Sequence, residues 1–323
     1  MRRNRLIALV ALIPLCAGGC AETTFNGKSD ADGSVPTDSR SGDLSPVPDV
    51  LPPPPTSPRQ LSVVVNKLIL PKSEKDFAID LDNNGTTDNR LGAIIALVAA
   101  TAGGQGVDLQ AETDAALATG TVLIMAELHA NSLSSDPNAT LVVHRGQDLD
   151  NIPSNNFDGT APLGLHPESP KDIRLAGSLS GGNLDSGPGI LAVPLPLIPN
   201  QPPITLTLKR ARVRGAVSSA GIANGLLSGA IPMTEVNDVL IPALAQLVTG
   251  FLQDPNSSQQ LRDVLGIFDA NKDNVITADE IRSSILAKLL KPDVVLSGDP
   301  DMIPDSLSLG VGFTAVPCQI VKN

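Results

Sequence analysis

DANKDNVITADE, from Asp269 to Glu280, is the stretch from which the rest of the chain is read. Oxygen-bearing side chains stand at its positions 1, 3, 5, 9 and 12, as Asp269, Asn271, Asp273, Thr277 and Glu280, and the Val275 carbonyl is available at position 7. That spacing makes an oxygen cage for a hard cation, and calcium is the cation it suits. Asp269, Asp273, Asp279 and Glu280, crowded into one turn, repel one another unless a cation sits among them. Apolar residues run into the loop (Leu261, Val264, Leu265, Phe268) and out of it (Ile281, Ile285, Leu286, Leu289), a period that predicts helix, loop, helix. The alternative is a plain acidic turn between two helices.

These residues resemble the EF-hand family over about thirty residues, at 257–290. Where the family has glycine at the sixth loop position this chain has Asn274, which tolerates the left-handed conformation at a cost of roughly 1 kcal/mol. The resemblance therefore implies weakened calcium binding. Ser257 and Gln260 match a capping box for the helix that enters the loop.

A second oxygen-rich turn lies far earlier, where Asp80, Asp82, Asn84, Gly85, Thr86 and Asp88 read D-x-D-x-N-G-x-x-D. Glycine falls at the sixth place, where the backbone must turn sharply, and Asp88 can also cap the helix that carries Leu91, Ile94, Ile95 and Val98. The acidic twelfth residue is replaced by Leu91. The turn resembles the short calcium loops of dockerin-type and thrombospondin-type repeats, which implies a weaker second site at Asp80, Asp82, Asn84, Thr86 and Asp88. An Asn-Gly turn dressed with aspartates is the alternative. EF-hands that sense calcium as a pair sit close in sequence and share a small sheet, so two loops this far apart predict structural calcium and no switch.

At the N-terminus, Arg2, Arg3 and Arg5 precede an apolar run from Leu6 to Leu15, and Ala17, Gly18 and Gly19 lead to Cys20. This is the layout of a secretory signal over residues 1–19. Its apolar run is shorter than the roughly 20 residues a spanning helix needs. The A-G-G-C ending resembles the lipobox of bacterial lipoproteins, despite Ala17 where leucine is usual. The resemblance implies lipidation of Cys20 and anchorage to a membrane through the N-terminal lipid. Ala21 after the cysteine resembles outer-membrane sorting, and an ordinary cleaved signal with a secreted product is the alternative. Residues 20–60 carry eight prolines, with Pro52 to Pro55 in one run, and too few apolar residues to pack. They read as an extended stalk.

Residues 61–323 are long enough for one large domain. With a whole-chain net charge of −11, nucleic acid is an unsuitable partner. No Trp, no Tyr and six Phe leave little for stacking on sugars or bases. Of three cysteines, Cys16 leaves with the signal and Cys20 is consumed by lipid, so Cys318 has no disulfide partner within the chain. Cys318 lies in an apolar run and reads as a small hydrophobe. Bound calcium is then an adequate staple for an exported domain.

Strands are predicted at Leu61–Leu70, around Phe77, Ile79 and Leu81, at Thr121–His129, Thr140–Arg145, Ile173–Leu179, Ile190–Leu197, Ile204–Val217 and Ile222–Ile231, and last at Leu307–Ala315. A short helix is predicted at Asp108–Ala118, and another opens at Thr234 and meets Pro242. The expected fold is α+β: an antiparallel β-sandwich-like body with a helical EF-hand hairpin inserted before the last strands. A phase slip near Lys209 and Arg210 predicts a bulge, after which Arg210, Arg212 and Arg214 share a face. That stripe and the long loop at 146–170 are candidate binding surfaces, or simply solvated ones.

Three histidines, His129, His144 and His166, lie apart in sequence, and no G-x-S-x-G, H-E-x-x-H or phosphate-cradling loop is present, so no catalytic set is assigned. The composite expectation is a calcium-binding cell-envelope lipoprotein, a structural or binding module for an unknown envelope protein or surface ligand. A calcium-dependent envelope hydrolase and a carrier of a lipid or other hydrophobic ligand stand as alternatives.

Overall fold

A computed structural model describes residues 51–103, 109–170, 173–195, 204–255, 259–296 and 303–322. The expected signal peptide, Cys20, most of the stalk and Ser257 of the expected capping box lie outside the described residues.

The strands come where β-branched and alternating residues place them: β1 (Arg59–Ile69), β2 (Leu123–His129), β3 (Ser135–Asp148), β4 (Pro162–Leu165), β5 (Arg174–Ser180), β6 (Asn183–Leu195), β7 (Ile204–Ser218), β8 (Gly221–Pro232), β9 (Ser306–Pro317) and β10 (Gln319–Val321). Their pairing is not that of a sandwich. Antiparallel neighbours run β5-β6-β7-β8-β9-β1-β2-β3, and β3 returns to β5 through Thr140↔Ala176 and Val142↔Arg174, so eight strands close into a barrel. The fold is mostly β, which corrects the expected α+β sandwich. Closure has a visible cause. Register shifts at Val65/Lys67, Ser186/Gly189, Lys209/Arg212 and Ile222/Gly225 bend long strands that would otherwise extend as flat sheets. The short β4 and β10, parallel to each other, attach to the free second half of the β3 edge at Gly146–Asp148.

The expected EF-hand hairpin is corrected with the sandwich. The dominant helix between β8 and β9 is α3 (Met233–Gln253), and among the described residues loop 269–280 is flanked by the short α4 (Gln259–Leu265) and α5 (Ala278–Ser283), with α6 (Ile285–Leu289) after them. Before these come α1 (Arg90–Gly103) and α2 (Leu109–Ala118). Pro242 does not break α3. A π turn at Val236–Leu240, in which Ile241 N–H reaches the Val236 carbonyl, widens the helix just before the ring. The expected strand around Phe77 also fails: Phe77 has a φ of 59°, and Ile79 keeps only a single bridge to Asp88.

Leu141, Leu175, Leu184, Leu206 and Leu208 fill the barrel interior, each at most 2% exposed, while Thr205, Lys209, Arg212 and Arg214 alternate outward on β7. A membrane-spanning barrel turns its apolar residues outward instead. By length and composition α3 is apolar enough to cross a membrane, yet Ile241, Leu244, Val248 and Leu252 join the barrel core. That core continues to Phe268, Ile276 and Ile281, so loop 269–280 rests on it.

Candidate metal centre

Loop 80–88 is tied back on itself by the Asp88 N–H to Ile79 carbonyl bond of 2.8 Å. Asp80 accepts from Asn84 N–H at 3.1 Å and Gly85 N–H at 2.9 Å, Asp82 accepts from Asn84 N–H at 3.2 Å, and Asn84 accepts from Thr86 N–H at 2.7 Å. The backbone turns left-handed at Asn83 (φ 60°) and Gly85 (φ 85°). These turns bring Asp80, Asp82 and Asp88 together, with one carboxylate oxygen from each within 4.8 Å of the others. Asp82 and Asp88 are buried. Burial pushes the Asp88 carboxyl up to about 6; the Leu81 N–H bond opposes that rise, and the Asp82, Asp293 and Asp80 charges add to it.

Distant segments complete this site. Val295 N–H donates to Asp82 at 3.2 Å, and Arg210, strained at φ 49°, donates to the Leu81 carbonyl at 2.9 Å. The bulge residue Arg210 therefore leaves the expected stripe, while Arg212 and Arg214 lie 3.8 and 3.2 Å from Asp185. The helix cap falls one residue later than expected: Asn89, not Asp88, accepts from Gly92 N–H at 2.9 Å, and it also pairs with both backbone groups of Gly310. The roles of Val295, Asn89 and Arg210 depend on contacts across the fold and leave no local signal in the sequence.

Loop 269–280 repeats the first loop nearly bond for bond. Asp269, at the first position, accepts from Asp273 N–H at 3.1 Å and Asn274 N–H at 2.8 Å, Asn271 accepts from Asp273 N–H at 3.0 Å, and Asp273 accepts from Val275 N–H at 2.8 Å. Lys272 and Asn274, at the fourth and sixth positions like Asn83 and Gly85, are left-handed at 59° and 62°. Thr277 and Glu280 form a reciprocal capping box that starts α5. The Thr277 backbone N–H, its hydroxyl and Ala270 N–H hold the Glu280 carboxyl below the usual carboxylate range. The loop docks on α3, where Thr249 Oγ1 takes both backbone groups of Ile276 and Gln253 donates to the Asn274 carbonyl at 3.1 Å.

A different cluster lies on the outer face of the barrel. Glu127 of β2 is buried, accepting from Arg59 at 2.7 Å and Lys322 at 2.8 Å, with His129 and His144 nearby. Burial would raise its carboxyl, yet hydrogen bonds from Lys322 and Arg59, with the Lys322 and His144 charges, hold it at about 2. The group borders a cleft of about 220 Å³ that also reaches Val142 and Arg174. Burial pushes the neighbouring Cys318 thiol up to about 12, with the Glu127 charge adding, which leaves it unreactive at neutral pH. The expected long loop at 146–170 contains β4 and a turn at Pro153–Asn155, and its Asp148 and His166 help to form a polar cleft of about 410 Å³ with Thr119, Thr121 and Arg145.

No family model, curated protein or solved structure matches this chain.

Proposed function

We propose that this chain is a cell-envelope lipoprotein whose barrel is stabilised by calcium bound at 80–88 and 269–280. The observation that carries the calcium reading is the repetition, in two unrelated parts of the chain, of the same Asx hydrogen bonds and the same two left-handed turns. Asp80, Asp82, Asn84, Thr86 and Asp88 are the oxygen donors of one site, and Asp269, Asn271, Asp273, Val275, Thr277 and Glu280 those of the other. Such all-oxygen sets suit calcium, which accepts irregular coordination by six to eight oxygens. Calcium in the first loop would bridge segments that Asp82 already joins to Val295. The signal layout, Cys20 and the proline stalk support the tether.

Isothermal titration of chelator-treated protein tests this reading, with two calcium ions per chain expected. Absence of calcium heat, together with equal melting temperatures in calcium and chelator, overturns it. Incorporation of labelled palmitate in the wild type but not in Cys20→Ser tests the lipid anchor. The carrier alternative gains no support from a barrel interior filled by side chains, and neither described cleft is lined by Arg210, Arg212 or Arg214. The hydrolase alternative retains one favourable observation, the cleft where two imidazoles meet a buried carboxylate.

A further inference from the structure

We propose that Glu127, His129 and His144 form a second type of metal site, for a borderline transition ion such as zinc, held shut by the Lys322 ammonium. All three side chains stand on paired strands. Glu127 and His129, two apart on β2, share the outer face, and the Met125↔His144 and Glu127↔Val142 pairs put His144 diagonally beside Glu127. His144 Nε2 lies 3.6 Å and His129 Nε2 3.8 Å from the same oxygen, Glu127 Oε2. His129 Nδ1 lies 3.2 Å from the Ser57 carbonyl, which only accepts, so Nδ1 carries a proton and Nε2 is the ring nitrogen that faces the carboxylate. A backbone carbonyl on the remote nitrogen is also what orients metal-binding imidazoles. His144 Nε2 is buried without a hydrogen-bond partner. Two imidazole nitrogens and a carboxylate oxygen turned toward one another suit a cation, and imidazole with carboxylate is a donor set for zinc-class ions rather than calcium.

Lys322 Nζ supplies that cation, 2.8 Å from Oε2. Its side chain is 55% exposed and follows the short β10, so it is displaceable, whereas Arg59 holds the other oxygen, Oε1. The three ligand atoms stand apart here: among the described residues only Asp80, Asp82 and Asp88 bring three ligand atoms within 4.8 Å of one another. Tetrahedral zinc bonds of about 2.0–2.1 Å set ligand atoms about 3.3 Å apart, so the imidazoles must close in as the ammonium leaves. Metal and Lys322 are therefore alternative partners of Oε2. Three protein ligands leave a fourth position open toward the cleft lined by Val142 and Arg174.

The test titrates zinc into calcium-saturated protein against a chromophoric chelator, so that the oxygen loops are already satisfied. One zinc per chain is expected, weakened on the order of tenfold or more in both His129→Ala and His144→Ala. Lys322→Ala is expected to bind several-fold tighter, and cobalt to give a visible band that both histidine variants lose. No zinc retained at equimolar ratio overturns the proposal, as does equal binding by the histidine variants or unchanged or weaker binding by Lys322→Ala. Circular dichroism checks the fold of each variant. His129 and His144 are independent probes should one substitution unfold the protein.

Discussion

The two oxygen-rich loops begin alike and close differently. Through the seventh position their acceptors fall at the same places, with carboxylate and amide exchanged at the third and fifth, and the fourth and sixth residues are left-handed in both. At closure, the N–H of the second residue goes to Asp88 at position nine in one loop, Leu81 N–H at 2.9 Å, and to Glu280 at position twelve in the other, Ala270 N–H at 2.9 Å. The shorter closure draws three carboxylates into one cluster beneath the barrel wall. The longer one spends its last acid on a capping box at the surface. A missing twelfth acid therefore does not mark a degenerate loop: Asp88 does the same backbone job three residues early, and the first loop gathers the denser negative charge.

Chelation is the broadest way to test that comparison. Calcium at about 100 times its dissociation constant adds about 2.7 kcal/mol per site, or about 5–10 °C in Tm for a domain of this size. Asp88→Asn should remove most of the share belonging to the first loop, and Glu280→Gln should remove less. The comparison breaks if Glu280→Gln abolishes the calcium effect while Asp88→Asn leaves it intact, as read by melting in calcium and in chelator. Thr249→Val acts on the second loop alone, since it strips Ile276 of both its backbone partners. It should lower stability by about 1–3 kcal/mol in a urea titration, with the first site's calcium affinity unchanged. The smallest effect belongs to the left-handed sixth position. Asn274→Gly should tighten the second site by up to about fivefold, the equivalent of about 1 kcal/mol, and Gly85→Ala should weaken the first by a similar factor. Calorimetry that finds both changes silent would show that these turns do not limit binding.

Much of this was legible locally. Alternation located β1, β2, β5 and β7 to within a few residues, and the phase slip at Lys209 and Arg210 marked a real bulge, because side-chain periodicity reports which face is buried. Closure was not legible. Nothing in Arg174 or Val142 announces that their strands pair, since a sandwich and a barrel present the same alternation and differ in which edges meet. β4 went unseen because Gly164 and the surrounding prolines read as loop. At the first loop the ligand pattern was local and visible, whereas Val295, Arg210 and Asn89 arrive from far along the chain. Glu127 was likewise an ordinary strand residue until Lys322 and Arg59 converged on it.

The pairing of β1 with β9 has a consequence for how such a chain must fold. The bond from Thr314 to Asn66 closes a loop of 248 residues, and β1 cannot complete its ladder before β9 exists. A chain delivered from its N-terminus would carry one bare strand edge through almost the whole of its emergence, the state in which sheets recruit neighbours and aggregate. Topology of this kind also folds slowly, because distant ends must meet before the contacts that reward their meeting can form.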